Sequence, residues 1–292
     1  MDQFAIDGVV KIETGEGGLP KLVLTGEHGA AEIYLHGAHV TSFTPGGQPP
    51  MLWMSHQSNF SQEKAIRGGV PICWPWFGKP DDRPDGPQHG FARTSQWQLV
   101  ATKLNDDGTV SVQLQLTDSE QTHAIWPHAF ELTMEVIVGK QMTLRLSCRN
   151  TGDIPLEAGA ALHTYFAVDR IEDVVVSGLA GRSYVDQLDG NAIKTLDGDI
   201  VFDRETDLIV IDSDDEVVIT EASLDRRIHI SKTGSASTVV WNPWIEKSKK
   251  MSDFPDDGYK TMLCIETTNA ATDVRTVGPG ETHVVSQTFG YV

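Results

Sequence analysis

Two short stretches of this chain carry side chains suited to moving protons. "LHTYF" (162–166) holds His163 and "CIETTNA" (264–270) holds Glu266. Side chains alternate across a β-strand, so in "YKTMLCIET" Met262, Cys264 and Glu266 share one face, while in "AALHTYFAV" Ala161, His163 and Tyr165 share one. A carboxylate on an apolar face is costly unless it is paired or hydrogen-bonded. Taken singly, Glu266 reads as a salt-bridged or strand-end glutamate, and His163 as a satisfied core or edge histidine. Brought to one concave site, they could serve as general acid and general base. Sequence gives no distance between them.

Other polar groups cluster in loops. "QHGFAR" supplies His89 and Arg93, and Arg67 precedes the double glycine of "RGGVP". The rigid fork of an arginine suits a phosphate or several sugar hydroxyls, although each arginine alone fits a surface or structural role. Trp74 and Trp76 in "CWPWF", and Trp241 and Trp244 in "WNPW", offer faces that stack on pyranose C–H patches or stabilise a core; a structural role is expected for at least half of them. The histidines of "HGAH" (36–39) and "HAIWPH" (123–128) lack a convincing third metal ligand and are expected to be structural. No GxSxG elbow, GxxxxGK[ST] phosphate loop or CxxC pair occurs.

The elements that must position these groups are strands. Polar and apolar residues alternate in "AEIYLHGAHVTSF", "VSVQLQL", "ELTMEVIVG", "MTLRLSC", "AALHTYFAV", "RRIHISKTG", "STVVWNP" and "THVVSQTFG", with turn residues such as "DDG" and "TGD" between segments. That pattern predicts an all-β fold of antiparallel strands in a sandwich or barrel. Helical candidates are short, the clearest around "SNFSQEKAI". No long linker and no repeat divides the chain, so a single domain over 1–292 is expected. Two loop-like stretches, 67–97 and 241–259, concentrate the polar and aromatic groups, and rigid sheets often carry binding residues on such loops.

Composition narrows the function classes. Of 292 residues, 39% are hydrophobic and 22% charged, which predicts a packed core rather than disorder. With 23 Lys and Arg against 41 Asp and Glu the net charge is −18, which argues against general binding to nucleic acid or an anionic membrane. The N-terminal residues show no basic-then-apolar leader, and no apolar run approaches the roughly 18 residues of a membrane span. A cytoplasmic protein is expected. Cys73, Cys148 and Cys264 are odd in number and widely spaced, as expected of reduced, buried thiols.

Taken in order, "RGGVPICWPWFG", "QHGFAR", "LHTYF", "WNPW" and "MSDFPDDGYKTMLCIETTNA" resemble the glucose-6-phosphate 1-epimerases, the hexose-6-phosphate mutarotases of the aldose 1-epimerase superfamily. The resemblance runs from about Arg67 to the C-terminus. It implies a large antiparallel β-sandwich, the galactose mutarotase-like supersandwich, with the sugar held on one concave face. It implies His163 as general acid, Glu266 as general base, and Arg67, Gln88 and Arg93 as contacts to substrate and phosphate. His89 would line the cleft without an assigned proton-transfer role. Asp207 in "ETDLIV" aligns with a sugar-binding aspartate in a motif that departs from the family pattern: an aromatic or basic residue commonly follows, where Leu208 and Ile209 stand here.

The expected activity is interconversion of the α and β anomers of an aldohexose 6-phosphate, with a small-molecule hexose phosphate as the partner and neither cofactor nor metal. A neutral-sugar aldose 1-epimerase, a noncatalytic carbohydrate-binding protein on the same scaffold and a glycoside hydrolase are the alternatives. The last needs a second carboxylate flanking the bond. Preferred hexose and oligomeric state stay open, a monomer being compatible with the sequence.

Overall fold

The computed structural model describes residues 2–79 and 86–292; the "PDDRPD" portion of the first polar loop, 80–85, lies outside the described residues. Antiparallel sheets dominate it, as the alternation predicts. A nine-stranded sheet runs in the order Ile200–Val201, Val174–Ser177, Val217–Glu221, Arg226–Thr233, Thr282–Tyr291, Met142–Asn150, Phe130–Val138, Val110–Thr117 and Gln98–Leu104. Its central strands bury every second residue, with Val110, Val112, Leu114 and Leu116 inward on one, Phe130, Leu132, Met134, Val136 and Val138 on the next, and Met142, Leu144, Leu146 and Cys148 on the third. One face therefore meets the core and the other meets water.

The second large sheet has a different burial pattern. In it Ala192–Thr195, Ser183–Asp186, Thr206–Val210, Ser237–Asn242, Met262–Asn269, Ala160–Leu162 and Ile72–Cys73 lie side by side, and Tyr165–Ala167 also pairs with Met262–Asn269. Ser237–Asn242 and Met262–Asn269 are buried at every position. One face, with Val240, Leu263 and Ile265, joins the main hydrophobic core together with Ile219, Ile228, Leu144, Leu146, Val285 and Phe289 of the nine-stranded sheet. The opposite face, with Val239, Trp241, Met262 and Cys264, joins a second cluster containing Tyr165 and Phe254. Glu266 belongs by strand parity to this second face. A four-stranded sheet of Val10–Thr14, Pro20–Gly26, Gly29–Tyr34 and His39–Pro45 extends the main core through Leu22, Leu24, Ile33 and Val40.

Three local expectations change. "AEIYLHGAHVTSF" is a hairpin, Gly29–Tyr34 paired with His39–Pro45, because Gly37 and Ala38 take left-handed backbone angles of 72° and 46°. "AALHTYFAV" is two short strands broken at His163 and Thr164, where Thr164 N–H bonds to the carbonyl of Leu162 two residues back instead of joining the ladder. "SNFSQEKAI" forms turns, being too short to nucleate a helix without packing or a cap. Helix forms instead at Glu120–Ile125, where Ser119 and Thr122 make a capping box, and at Trp244–Ser248. Among the described residues no helix is long and apolar enough to cross a membrane. All three cysteines are free and buried.

Candidate active site

Strand register assembles the site. Leu162 faces Thr267 and Tyr165 faces Cys264, so the same register sets His163 opposite Glu266 across the break. On the other side of that strand Val239 faces Glu266 and Trp241 faces Cys264; beyond them Ile209 faces Val239 and Asp207 faces Trp241. Two transverse rows result on one face: Ile209, Val239, Glu266 and His163, and beside it Asp207, Trp241, Cys264 and Tyr165. Directly opposed side chains on antiparallel strands lie close enough to touch. His163 Nε2 is accordingly 3.4 Å from Glu266 Oε1. His163 is 8% exposed and Glu266 1%.

The loops form the walls above these rows. A cleft of about 270 Å³ is lined by Arg67, Gln88, His89, Arg93, His163, Asp207 and Glu266, together with Phe77, Gly78, Gln187, Val239, Trp241, Lys247 and Met251. The structure thus brings all seven residues singled out from the sequence to one place. Of the four tryptophans singled out, only Trp241 lines this cleft; Trp74 packs edge-on against Phe91, Trp126 and Phe130, and Trp244 against Tyr259. A larger hollow of about 490 Å³ opens beside Asp207 between the edges of the two large sheets. It contains neither His163 nor Glu266 and belongs to the sandwich rim.

Similarity to known proteins agrees with this arrangement. The family model for aldose 1-epimerase matches residues 20–290. The chain belongs to the aldose 1-epimerase family. A protein of Escherichia coli strain K12, provisionally named glucose-6-phosphate 1-epimerase, is 40% identical over 242 residues, covering 82% of this chain and 80% of its own. One of Cenchrus ciliaris with the same provisional name is 38% identical over 274 residues, covering 90% and 82%. A crystal structure from Salmonella typhimurium, described provisionally as a mutarotase, superposes with a TM-score of 0.91 at 34% identity, covering 99% of this chain and 95% of that one.

In this aldose 1-epimerase family member Glu266 and His163 are both held against their ordinary charges. Burial, with the Asp207 charge adding to it, holds the Glu266 carboxyl well above the usual carboxylate range, and Arg93 opposes the shift. Burial, then His89, Arg67 and Arg93, holds the His163 imidazole well below its usual value. At 3.4 Å the two groups titrate as a coupled pair, and both directions favour the neutral form, protonated carboxyl beside uncharged imidazole. The His163 ring stacks on Tyr165 at 4.8 Å and 6°, which fixes its plane. Among the described residues Glu266 Oε2 and His163 Nδ1 are buried without a hydrogen-bond partner.

The surrounding groups are committed to different degrees. Arg67 donates from Nε and Nη2 to Asp253 Oδ2, both at 3.1 Å, and from Nη1 to the Tyr165 hydroxyl at 3.1 Å. Arg93 donates to the Gln88 carbonyl at 2.7 Å. Among the described residues neither Arg93 nor Lys247 has a carboxylate in ion-pair contact. His89 Nδ1 accepts the Gly78 N–H at 3.1 Å and its Nε2 lies 3.3 Å from the Gln88 side-chain amide nitrogen, and burial followed by Arg93 and Arg67 lowers its pKa to about 3. Asp207 accepts from Gln187 at 2.5 Å, and burial raises its pKa to about 6.

Gln187, Lys247, Asp253 and Tyr165 were not singled out as site residues from the sequence. Tyr165 carried a signal, since strand alternation sets it on the His163 face. Gln187 and Lys247 reach the cleft through strand pairing and a short helix, which no local pattern reports.

Proposed function

We propose that this chain is a mutarotase acting on aldohexose 6-phosphates, with Glu266 and His163 transferring the protons. The observation that carries the reading is their 3.4 Å contact on the floor of a cleft whose wall holds Arg67 and Arg93. The provisional names of the Escherichia coli and Cenchrus ciliaris relatives support a 6-phosphorylated hexose.

Ring opening breaks the C1–O5 bond of the cyclic sugar. Glu266, as carboxylate, takes the proton of the anomeric O1 hydroxyl, and His163, as imidazolium, gives a proton to O5. Electrons of the O1–H bond become the second C1–O1 bond, giving the open-chain aldehyde. Rotation about C1–C2 presents the other aldehyde face, and closure with both transfers reversed yields the other anomer. The sugar stays neutral at C1 throughout, and the pair ends ring opening as carboxyl and imidazole. That is the neutral form that burial favours, so the low-dielectric floor pulls the pair toward the open-chain stage. Before opening, one proton must cross from Glu266 to His163.

Asp207, held by Gln187, is placed to accept from ring hydroxyls, with the adjoining Gln88 and His89 side chains lining the same wall. The phosphate is assigned to Arg93 and to the free N–H groups of Arg67, since Asp253 already offsets part of the Arg67 charge.

The test is NMR exchange between the anomers of glucose 6-phosphate, beside glucose and galactose, with Glu266→Gln and His163→Asn as controls. Selective acceleration with the phosphorylated sugar is expected, falling in each variant by about 10²-fold or more with the fold retained. Acceleration confined to neutral sugars would reassign the arginines, and a near-normal rate in either variant would remove that residue from its role.

A further inference from the structure

The histidines of the "HGAH" turn are expected from the sequence to be structural, and the structure shows what they hold. His36 and His39 are 1% and 0% exposed. His36 Nε2 lies 2.8 Å from the carbonyl oxygen of Lys64, and His39 Nε2 lies 2.8 Å from that of Gly68. A carbonyl only accepts, so each Nε2 carries its proton and donates. The two imidazoles therefore grip the main chain on either side of Ala65, Ile66 and Arg67.

The grip is tight at its downstream end. Gly68 and Gly69 have φ of 103° and 59°, and a Cβ on them would stand 2.6 Å from the Trp53 carbonyl oxygen and 2.2 Å from that of Val40. The same Gly69 Cβ would stand 3.0 Å from His39 Nε2. The backbone leaving Arg67 thus lies flush against the His39 strand, where Val70 N–H bonds Val40 at 2.9 Å. Arg67 N–H is further tied to Ser58 Oγ at 2.8 Å. From this fixed backbone the guanidinium reaches Asp253 and the hydroxyl of Tyr165, whose ring stacks on His163.

We propose that His39, with His36 as the second anchor, is a positioning residue for Arg67: its Nε2–H holds the Gly68 carbonyl and so sets where the Arg67 guanidinium stands in the cleft. It touches no substrate. This explains an uncharged imidazole at a core position that an apolar side chain would otherwise fill, with its Nδ1 buried and unpartnered among the described residues.

The inference rests on the assignment of Arg67 to substrate binding, so its test is a double-mutant cycle that stays readable if that assignment fails. His39→Leu fills the space without a donor, and His39→Gln restores an N–H. Both are made with Arg67 intact and in Arg67→Ala, and KM and kcat are measured with glucose 6-phosphate and glucose, alongside Tm. His39→Leu is expected to raise KM for glucose 6-phosphate about tenfold, with KM for glucose within about twofold. His39→Gln should recover much of the loss, and in the Arg67→Ala background His39→Leu should add nothing. Additive losses in the cycle would overturn the proposal, as would equal losses on both sugars that follow Tm. Failure of the phosphate reading alone would show differently: Arg67→Ala would leave glucose 6-phosphate unaffected relative to glucose, while coupling of 39 to 67 on either sugar would still uphold the positioning.

Discussion

At the scale of single residues, the proposed chemistry turns on where one proton sits between Glu266 and His163. The competent pair holds a single proton, which requires that the second not be taken up and the first not be lost. Uptake is governed by an imidazole held below its ordinary 6.5, and loss by a carboxyl held above its ordinary 4.5. Activity should fall on the acid side as the second proton binds and on the alkaline side as the shared one leaves. A bell-shaped kcat/KM profile is therefore expected, both limbs belonging to the pair rather than to either residue. Running the profile with glucose as well as glucose 6-phosphate separates the substrate's own second phosphate ionisation, about pH 6 by analogy with other phosphate monoesters; a limb seen only with the phosphorylated sugar belongs to the substrate. A flat profile with both sugars would count against proton transfer by this pair.

At the scale of elements, the site depends on two structural decisions. One is the common register that sets His163, Glu266 and Val239 in one row and Tyr165, Cys264, Trp241 and Asp207 in the next. The other is the close approach of the Arg67 loop to the His39–Pro45 strand. Gly69→Ala tests the latter, since the left-handed φ of 59° and the 2.2 Å approach to the Val40 carbonyl oxygen both oppose a side chain. The substitution should cost about 2 kcal/mol or more, read as a Tm lowered by about 4 °C or more. An unchanged Tm would mean that the loop can draw back from the strand without loss. Strand alternation foretold which face Glu266 and His163 would take. It did not foretell the break at His163 and Thr164, because a local Thr164 to Leu162 hydrogen bond leaves no mark on the hydrophobic pattern.

At the scale of the whole molecule, buried uncharged histidines make stability depend on pH. His39 has a folded pKa of about 3 against an ordinary 6.5. Burial is the cause, only partly opposed by its bond to Gly68. Between those values the unfolded chain binds a proton that the folded one refuses, so stability rises with pH in that window and falls as pH drops through it. The contribution is fully present above 6.5. At pH 5 the loss from His39 amounts to about 2 kcal/mol by linkage, and His89 acts in the same direction. Glu266 and Asp207, whose carboxyls are held above their ordinary range, act in the opposite direction, so the prediction is a difference: between pH 7 and pH 5 the parent should lose more Tm than His39→Leu, which is less stable at pH 7. An equal drop in the variant would mean that His39 is not excluded from protonation.

The sequence by itself determined the antiparallel all-β character, the strand faces that His163 and Glu266 take, and the loops bearing Arg67, Gln88, His89 and Arg93. These are local properties: alternation, turn residues and ordered motifs are all read within about ten residues of chain. Only the tertiary structure decided that a histidine and a glutamate about a hundred positions apart stand opposite each other. It also decided that Asp253 offsets Arg67, that Gln187 and Lys247 reach the cleft, and that His36 and His39 bond the carbonyls of Lys64 and Gly68. Those facts come from strand register and loop closure, and many registers are compatible with the same alternation. Packing of the whole sandwich selects among them, because a shift of one residue would turn Leu263 and Ile265 out of the main core and send Glu266 into it.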